Sequence, residues 1–121
     1  MGKGAECVAN TKILIHISDR DKWSAVLGQV NQFLRQHRGN PLKITILADV
    51  FAGAVCIACS PVLRKQMAEF VESGHRICAC EESLHSLNIK TDSLPDFIRP
   101  IPTALNEIIK LVAEGYQYIK M

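Results

Sequence analysis

Short apolar, β-branched runs alternate with amphipathic stripes along this chain, and that alternation limits the fold more than any single residue does. "KILIHI" at residues 12–17 is short and almost wholly apolar, the pattern of a buried strand. "SDRD" then offers capping side chains, and Trp23, Val26, Leu27, Val30, Phe33 and Leu34 recur on one face of a helix. Gly39, Asn40 and Pro41 end it. Residues 42–50 read as a second buried strand, and "FAGAVCIAC" fits either a glycine-containing loop or a short helix. Ser60 as cap and Pro61 in the first turn open a helix with Leu63, Met67, Phe70 and Val71 inward, closed by Gly74. "HRICAC", residues 75–80, is expected as the third strand. "EESLHSLN" follows as a short helix with Leu84 and Leu87 inward. Thr103 caps a last helix with Leu105, Ile108, Ile109 and Val112 on its inner face. Gly115 stops it, and "YQYIK" is the final strand.

Between these last two helices, "IRPIP" is a possible fourth strand. Pro100 and Pro102 are two apart, so both missing N–H groups fall on one side. A central strand would lose ladder bonds there, whereas an edge strand would not. Five strands alternating with four helices predict a parallel sheet covered on both faces. Such sheets bind ligands beyond the carboxyl ends of their strands.

The 121 residues fit one domain, spanning 1–121, with residues 1–10 expected to be mobile. Hydrophobic residues make up 48% and charged residues 21%, which excludes a disordered chain. A net charge of +2, with no basic run or basic helix face, argues against nucleic acid as a partner. No apolar stretch approaches the ~20 residues of a membrane span. "MGKGAECVANTK" lacks a signal-peptide run, and Glu6 stands where myristoylation wants Ser or Thr. A cytoplasmic protein is therefore expected. Its five cysteines point to redox, sulfur or metal chemistry, or to packing, before disulfides.

Cys80 falls at the carboxyl end of the third strand, one residue before a helix. A thiol there is expected to be exposed at the rim, with first-turn N–H groups able to stabilise its thiolate. Glu81 and Glu82 oppose that ionisation. Cys78, inside the strand, reads as packing. Cys56 and Cys59 follow the second strand and could approach the same rim. Cys56-x-x-Cys59 with Cys78-x-Cys80 also resembles the spacing of a four-cysteine metal site, although both cysteines of the second pair would share one strand face. A thioredoxin-type dithiol at Cys56 and Cys59 is weaker still. Cys7 reads as incidental. Among the histidines, His85, one turn from the thiol region, is the candidate base, while His16 reads as packed in its strand and His37 as solvated. No Ser-His-Asp order, Walker loop or G-x-G-x-x-G is present.

Two motifs add a resemblance. An apolar strand ends in Cys80 and is followed by Glu81, Glu82, Ser83 and Leu84; the chain closes with "EGYQYIK", Glu114 to Lys120. In these, and in its element order over residues 12–121, the chain resembles the DsrE/DsrF-like family, small proteins of sulfur relay and intracellular sulfur oxidation. The resemblance implies a three-layer α/β/α sandwich with a five-stranded parallel sheet in the order 4-3-2-1-5. It also implies a homo-oligomer, trimer or hexamer, and a sulfur donor or acceptor protein as partner, with no cofactor. The matching cysteine, Cys80, would carry sulfane sulfur as a persulfide, and Ser83 would help hold the loop. Relatives often carry a glycine-rich turn after the second strand. The extra cysteines here, Cys56 and Cys59, offer a resolving thiol. The alternative is a non-catalytic oligomeric binding or scaffold protein of the same fold.

Overall fold

The computed structural model describes residues 11–121; the expectations for residues 1–10, Cys7 included, lie outside them. Five strands, β1 (Thr11–Ile17), β2 (Leu42–Ala48), β3 (Arg76–Cys80), β4 (Ile98–Ile101) and β5 (Gln117–Lys120), form one sheet. Its order is β4-β3-β2-β1-β5, and every pairing is parallel, as expected. Between them run α1 (Trp23–Gln36), α2 (Val50–Val55), α3 (Pro61–Glu72), α4 (Glu81–Ser86) and α5 (Ala104–Ala113), with single 3-10 turns at Arg20–Lys22 and Thr91–Ser93. β4 is an edge strand and carries Pro100, where one side has no ladder to lose. Pro102 lies one residue past β4, and its carbonyl accepts the Glu82 N–H at 3.2 Å.

Alternation along the strands sorts the core into two clusters, one on each face. Ile15, Ile17, Ile44, Ile46, Ala48, Ile77 and Ala79 pack with Trp23, Val26, Leu27 and Val30 of α1 and Met67 and Phe70 of α3. Leu14, Leu47, Cys78, Cys80 and Ile101 pack on the other face with Ala104 and Leu111 of α5 and with Tyr116. The sandwich is lopsided: one long helix covers the second face, and most of the helical mass covers the first. Ser60 and Thr103 cap α3 and α5 as expected, accepting the N–H groups of Leu63 at 3.1 Å and Asn106 at 3.3 Å.

One open local expectation is decided and two are corrected. The ambiguous segment after β2 begins as the helix α2. Trp23 Nε1 fixes that helix by donating to the Ala52 carbonyl at 3.0 Å in the core. In "SDRD", neither the 3-10 turn nor α1 has a side-chain cap; Ser18 instead donates to Asp49 Oδ1 at 2.6 Å, a charged acceptor that outcompetes a backbone partner. The inner face of α5 is Ala104, Glu107 and Leu111, with Ile108 half-buried, while Leu105, Ile109 and Val112 are 67%, 60% and 47% exposed. This helix is apolar nearly all round, so its periodicity does not choose a face; the structure turns the smaller Ala104 toward the sheet.

Candidate functional site

Cys80 is the last residue of β3 and the N-cap of α4. Its extended backbone (φ −76°, ψ 116°) carries the strand to the rim, and its Sγ accepts the Ser83 N–H at 3.5 Å. Ser83 thus enters the site through its backbone. The position matches expectation, but the exposure does not: Cys80 is only 3% exposed. Cys80 packs in the cluster of this face, with Ile101, its ladder partner on β4, and Ala104 at the start of α5.

The other cysteines separate. Cys56 is fully buried on the α1/α3 face, its Sγ 3.9 Å from the Ala52 carbonyl, and Cys59 packs half-buried against the same cluster. Cys78 and Cys80 lie on the α5 face. The sheet therefore stands between the two pairs, which overturns the reading of a four-cysteine metal site. Among the described residues, no three or more His, Cys, Asp or Glu side chains are grouped to hold a metal ion. Burial, reinforced by neighbouring Cys59, pushes the Cys56 thiol up to about 12. Burial, with the Glu107 charge added, pushes Cys78 up to about 11. Both are packing thiols at neutral pH. His85, the candidate base, is exposed on α4 and lines a shallow surface pocket with Asn88, Lys90 and Asp92.

A polar cluster that the sequence did not suggest occupies the same rim. His16 and Tyr118, on adjacent strands β1 and β5, meet at 2.8 Å between Nδ1 and the phenol oxygen. His16 Nε2 lies 3.1 Å from Asp49 Oδ2, without hydrogen-bond alignment. Ser18 donates to the other Asp49 oxygen, and Lys120 Nζ donates to Ser18 Oγ at 2.8 Å. Burial opposes ionisation of Asp49, but the contacts from His16 and Ser18 and the nearby Lys120 outweigh it and hold the carboxyl below its usual range. Val50, with φ 51°, turns the chain sharply from β2 into α2 just beyond Asp49. A β-branched residue is strained in that region.

Strand register relates this cluster to the thiol. The β1–β2 pairing ends at Ile17↔Ala48 and the β2–β3 pairing at Ala48↔Ala79. The next rung would hold Ser18 and Asp49, each one residue past its strand, beside Cys80 at the end of β3, all on the α5 face by alternation. His16 and Lys120 are a paired rung just below. The only sequence signal for these residues was their shared place at strand carboxyl ends.

A profile of the DsrE/DsrF-like family matches residues 51–121, over half of the chain. The chain belongs to the DsrE/DsrF-like family. β1 and β2 lie outside the matched span, and they complete the same sheet. Solved structures of similar fold cover nearly all of the chain. MTH1491 from Methanobacterium thermoautotrophicum, a protein of unknown function, has a TM-score of 0.80 at 19% identity, covering 92% of this chain and 99% of its own. The ychN protein from E. coli has a TM-score of 0.66 at 12% identity, covering 92% and 99%. BT1422 from Bacteroides thetaiotaomicron, a conserved protein of unknown function, has a TM-score of 0.65 at 14% identity, covering 94% and 97%. At these identities the likeness shows the fold alone. No curated protein matches the sequence. Among the described residues, no helix is long and apolar enough to cross a membrane.

Proposed function

We propose that the chain is a sulfur carrier that holds sulfane sulfur as a persulfide on Cys80. The observation that carries this reading is the place of Cys80 in a DsrE/DsrF-like chain: it ends β3, caps α4, and accepts the Ser83 N–H on its sulfur. A backbone donor of this kind favours the anionic forms of sulfur. In loading, the Cys80 thiolate attacks the outer sulfur of a donor persulfide. The donor S–S bond breaks, and the donor leaves as a thiolate with that electron pair. In unloading, an acceptor thiolate attacks the same outer sulfur and Cys80 returns as a thiolate, so no oxidant is consumed. The added sulfur extends the side chain by about 2 Å beyond the thiol. The reading places the chain in the cytoplasm, where thiols stay reduced. Its donor or acceptor is a second protein.

The test is loading with a sulfane-sulfur donor, followed by mass mapping of each cysteine. Wild type gains one sulfur on Cys80 and Cys80→Ser gains none; equal loading of the two defeats the assignment. The 3% exposure of Cys80 favours a second reading, a non-catalytic oligomeric binding protein in which the thiol only packs. A Cys80 that takes neither sulfur nor alkylating reagent before unfolding selects that reading. What supports assembly into a homo-oligomer, trimer or hexamer, is the outward apolar stripe of Leu105, Ile109 and Val112 on α5.

A further inference from the structure

The polar cluster lies where the topology itself favours a ligand. The chain leaves β1 toward β2 and returns to β5 on the other side, with α1 and α5 on opposite faces. The carboxyl ends of β1 and β5 therefore border the point where the connections diverge, and open parallel sheets bind ligands in that crevice. His16, Ser18, Tyr118 and Lys120 stand there, with Asp49 on the next strand.

Hydrogen-bond chemistry orders the cluster. An ionised Asp49 only accepts, so its charge favours the proton on the nearer His16 nitrogen, Nε2, although the two are not aligned as a hydrogen bond. His16 Nδ1 is then an acceptor, and the Tyr118 hydroxyl is its donor at 2.8 Å. The carboxylate charge, 3.1 Å from Nε2 but out of hydrogen-bond line, favours that tautomer, and the imidazole faces a hydroxyl, the arrangement by which a histidine draws a proton from its neighbour. His16 and Asp49 are largely buried, their side chains 12% and 16% exposed, while Tyr118 is 44% exposed. The relay thus runs from a shielded carboxylate to an accessible phenol. Lys120 follows on the same strand face, about 7 Å along the backbone. It donates to Ser18 and keeps two further N–H groups.

We propose that this cluster is a second site, an acid–base relay working at the Tyr118 hydroxyl on a small anion held by Lys120. The ligand class is a small molecule with one anionic group and, one side-chain spacing away, a group that exchanges a proton. The Tyr118 hydroxyl proton moves to His16 Nδ1, the Nε2 proton stays facing Asp49, and the phenolate takes the ligand's proton. The reverse steps return it. Tyr118 and Lys120 touch the ligand; His16 and Asp49 are positioning residues that act through Tyr118. The site goes beyond sulfur carriage, and its readout falls on a different residue.

Arylsulfonyl fluorides test both halves, because an activated phenol displaces fluoride and is marked permanently. The full chain is treated with neutral benzenesulfonyl fluoride or with fluorosulfonylbenzoate, which adds a carboxylate, and Tyr118 and Tyr116 are quantified by mass spectrometry. In wild type, Tyr118 is labelled, and the carboxylate probe is the faster. His16→Ala slows labelling by both probes at least about tenfold, and added imidazole restores it. Asp49→Asn, which keeps the acceptor for Ser18, also slows both probes. Lys120→Met removes the advantage of the carboxylate probe and leaves the neutral rate unchanged. Wild-type labelling in both His16→Ala and Asp49→Asn overturns the relay; equal labelling of wild type by the two probes overturns the anion anchor. The Tyr118 readout stands whether or not Cys80 loads sulfur.

Discussion

Alkylation of the native protein with iodoacetamide at about pH 7 should separate the described cysteines by orders of magnitude, because only the thiolate reacts. A thiol at the unshifted value of 9.0 is about 1% ionised at that pH. Cys56, pushed up to about 12, is ionised in about one molecule in a hundred thousand. Cys78, at about 11, is ionised in about one in ten thousand. Ionisation alone therefore slows them about 1,000-fold and about 100-fold relative to an unshifted thiol, before their complete burial is counted. Half-buried Cys59 should be labelled first. Peptide mapping over a time course gives each rate, and a denatured sample supplies the reference in which the differences collapse. Labelling of Cys56 or Cys78 in the folded chain at a rate near that of Cys59 would refute the burial argument. It would also remove the ground for treating these two as packing thiols. The same time course carried through Cys80 reports whether the rim opens to a small reagent.

Two further outcomes follow from the fold. Burial lowers the pKa of His75, whose Nδ1 accepts the Ile44 N–H at 3.2 Å and whose ring stacks on Phe70. The unfolded chain then binds the proton more strongly, near the ordinary histidine value of 6.5, so urea stability should be full above that pH and fall as acid protonates His75; His75→Gln should flatten this part of the slope. If the proposed homo-oligomer forms through α5, paired Leu105→Lys and Ile109→Lys substitutions on its outward stripe should leave monomer stability within about 0.5 kcal/mol and yield a monomer in sedimentation analysis. An unchanged oligomer places the contact elsewhere.

The sheet was legible because each strand announces itself locally. "KILIHI" and "ITILA" are β-branched runs between turn signals, and Ser60-Pro61 and Thr103 mark helix starts that the backbone uses. Pro100 gave the position of β4 at the edge, since a missing N–H is a local fact with a topological consequence. The face of α5 was not legible. Its ten residues offer two apolar stripes, and which one meets the sheet depends on the depth of the surface below, a tertiary property. The burial of Cys80 was hidden for a like reason: the strand end was readable, but its neighbours Ile101 of β4 and Ala104 of α5 come together only in the fold.

The polar cluster shows why a site can be hidden in a sequence whose fold is readable. His16 and Ser18, Asp49, and Tyr118 and Lys120 come from three separated stretches, and no spacing between them carries a pattern. They meet because parallel strands bring all their carboxyl ends to one rim, with β5 placed beside β1 and not after β4. His16 alone read as a packed strand residue, and on burial that reading is close: only 12% of its side chain is exposed. What distinguishes it is the pair of partners on its two nitrogens, one acidic and one phenolic. Cys80 was found by its motif and the relay only by the register that aligns Ser18 and Asp49 with it. The thiol and the phenol lie three strands apart, about 14 Å at ordinary strand spacing, too far for one small ligand to bridge by direct contact. If both act, they act on different ligands, and loss of one by substitution should leave the other's chemistry in place.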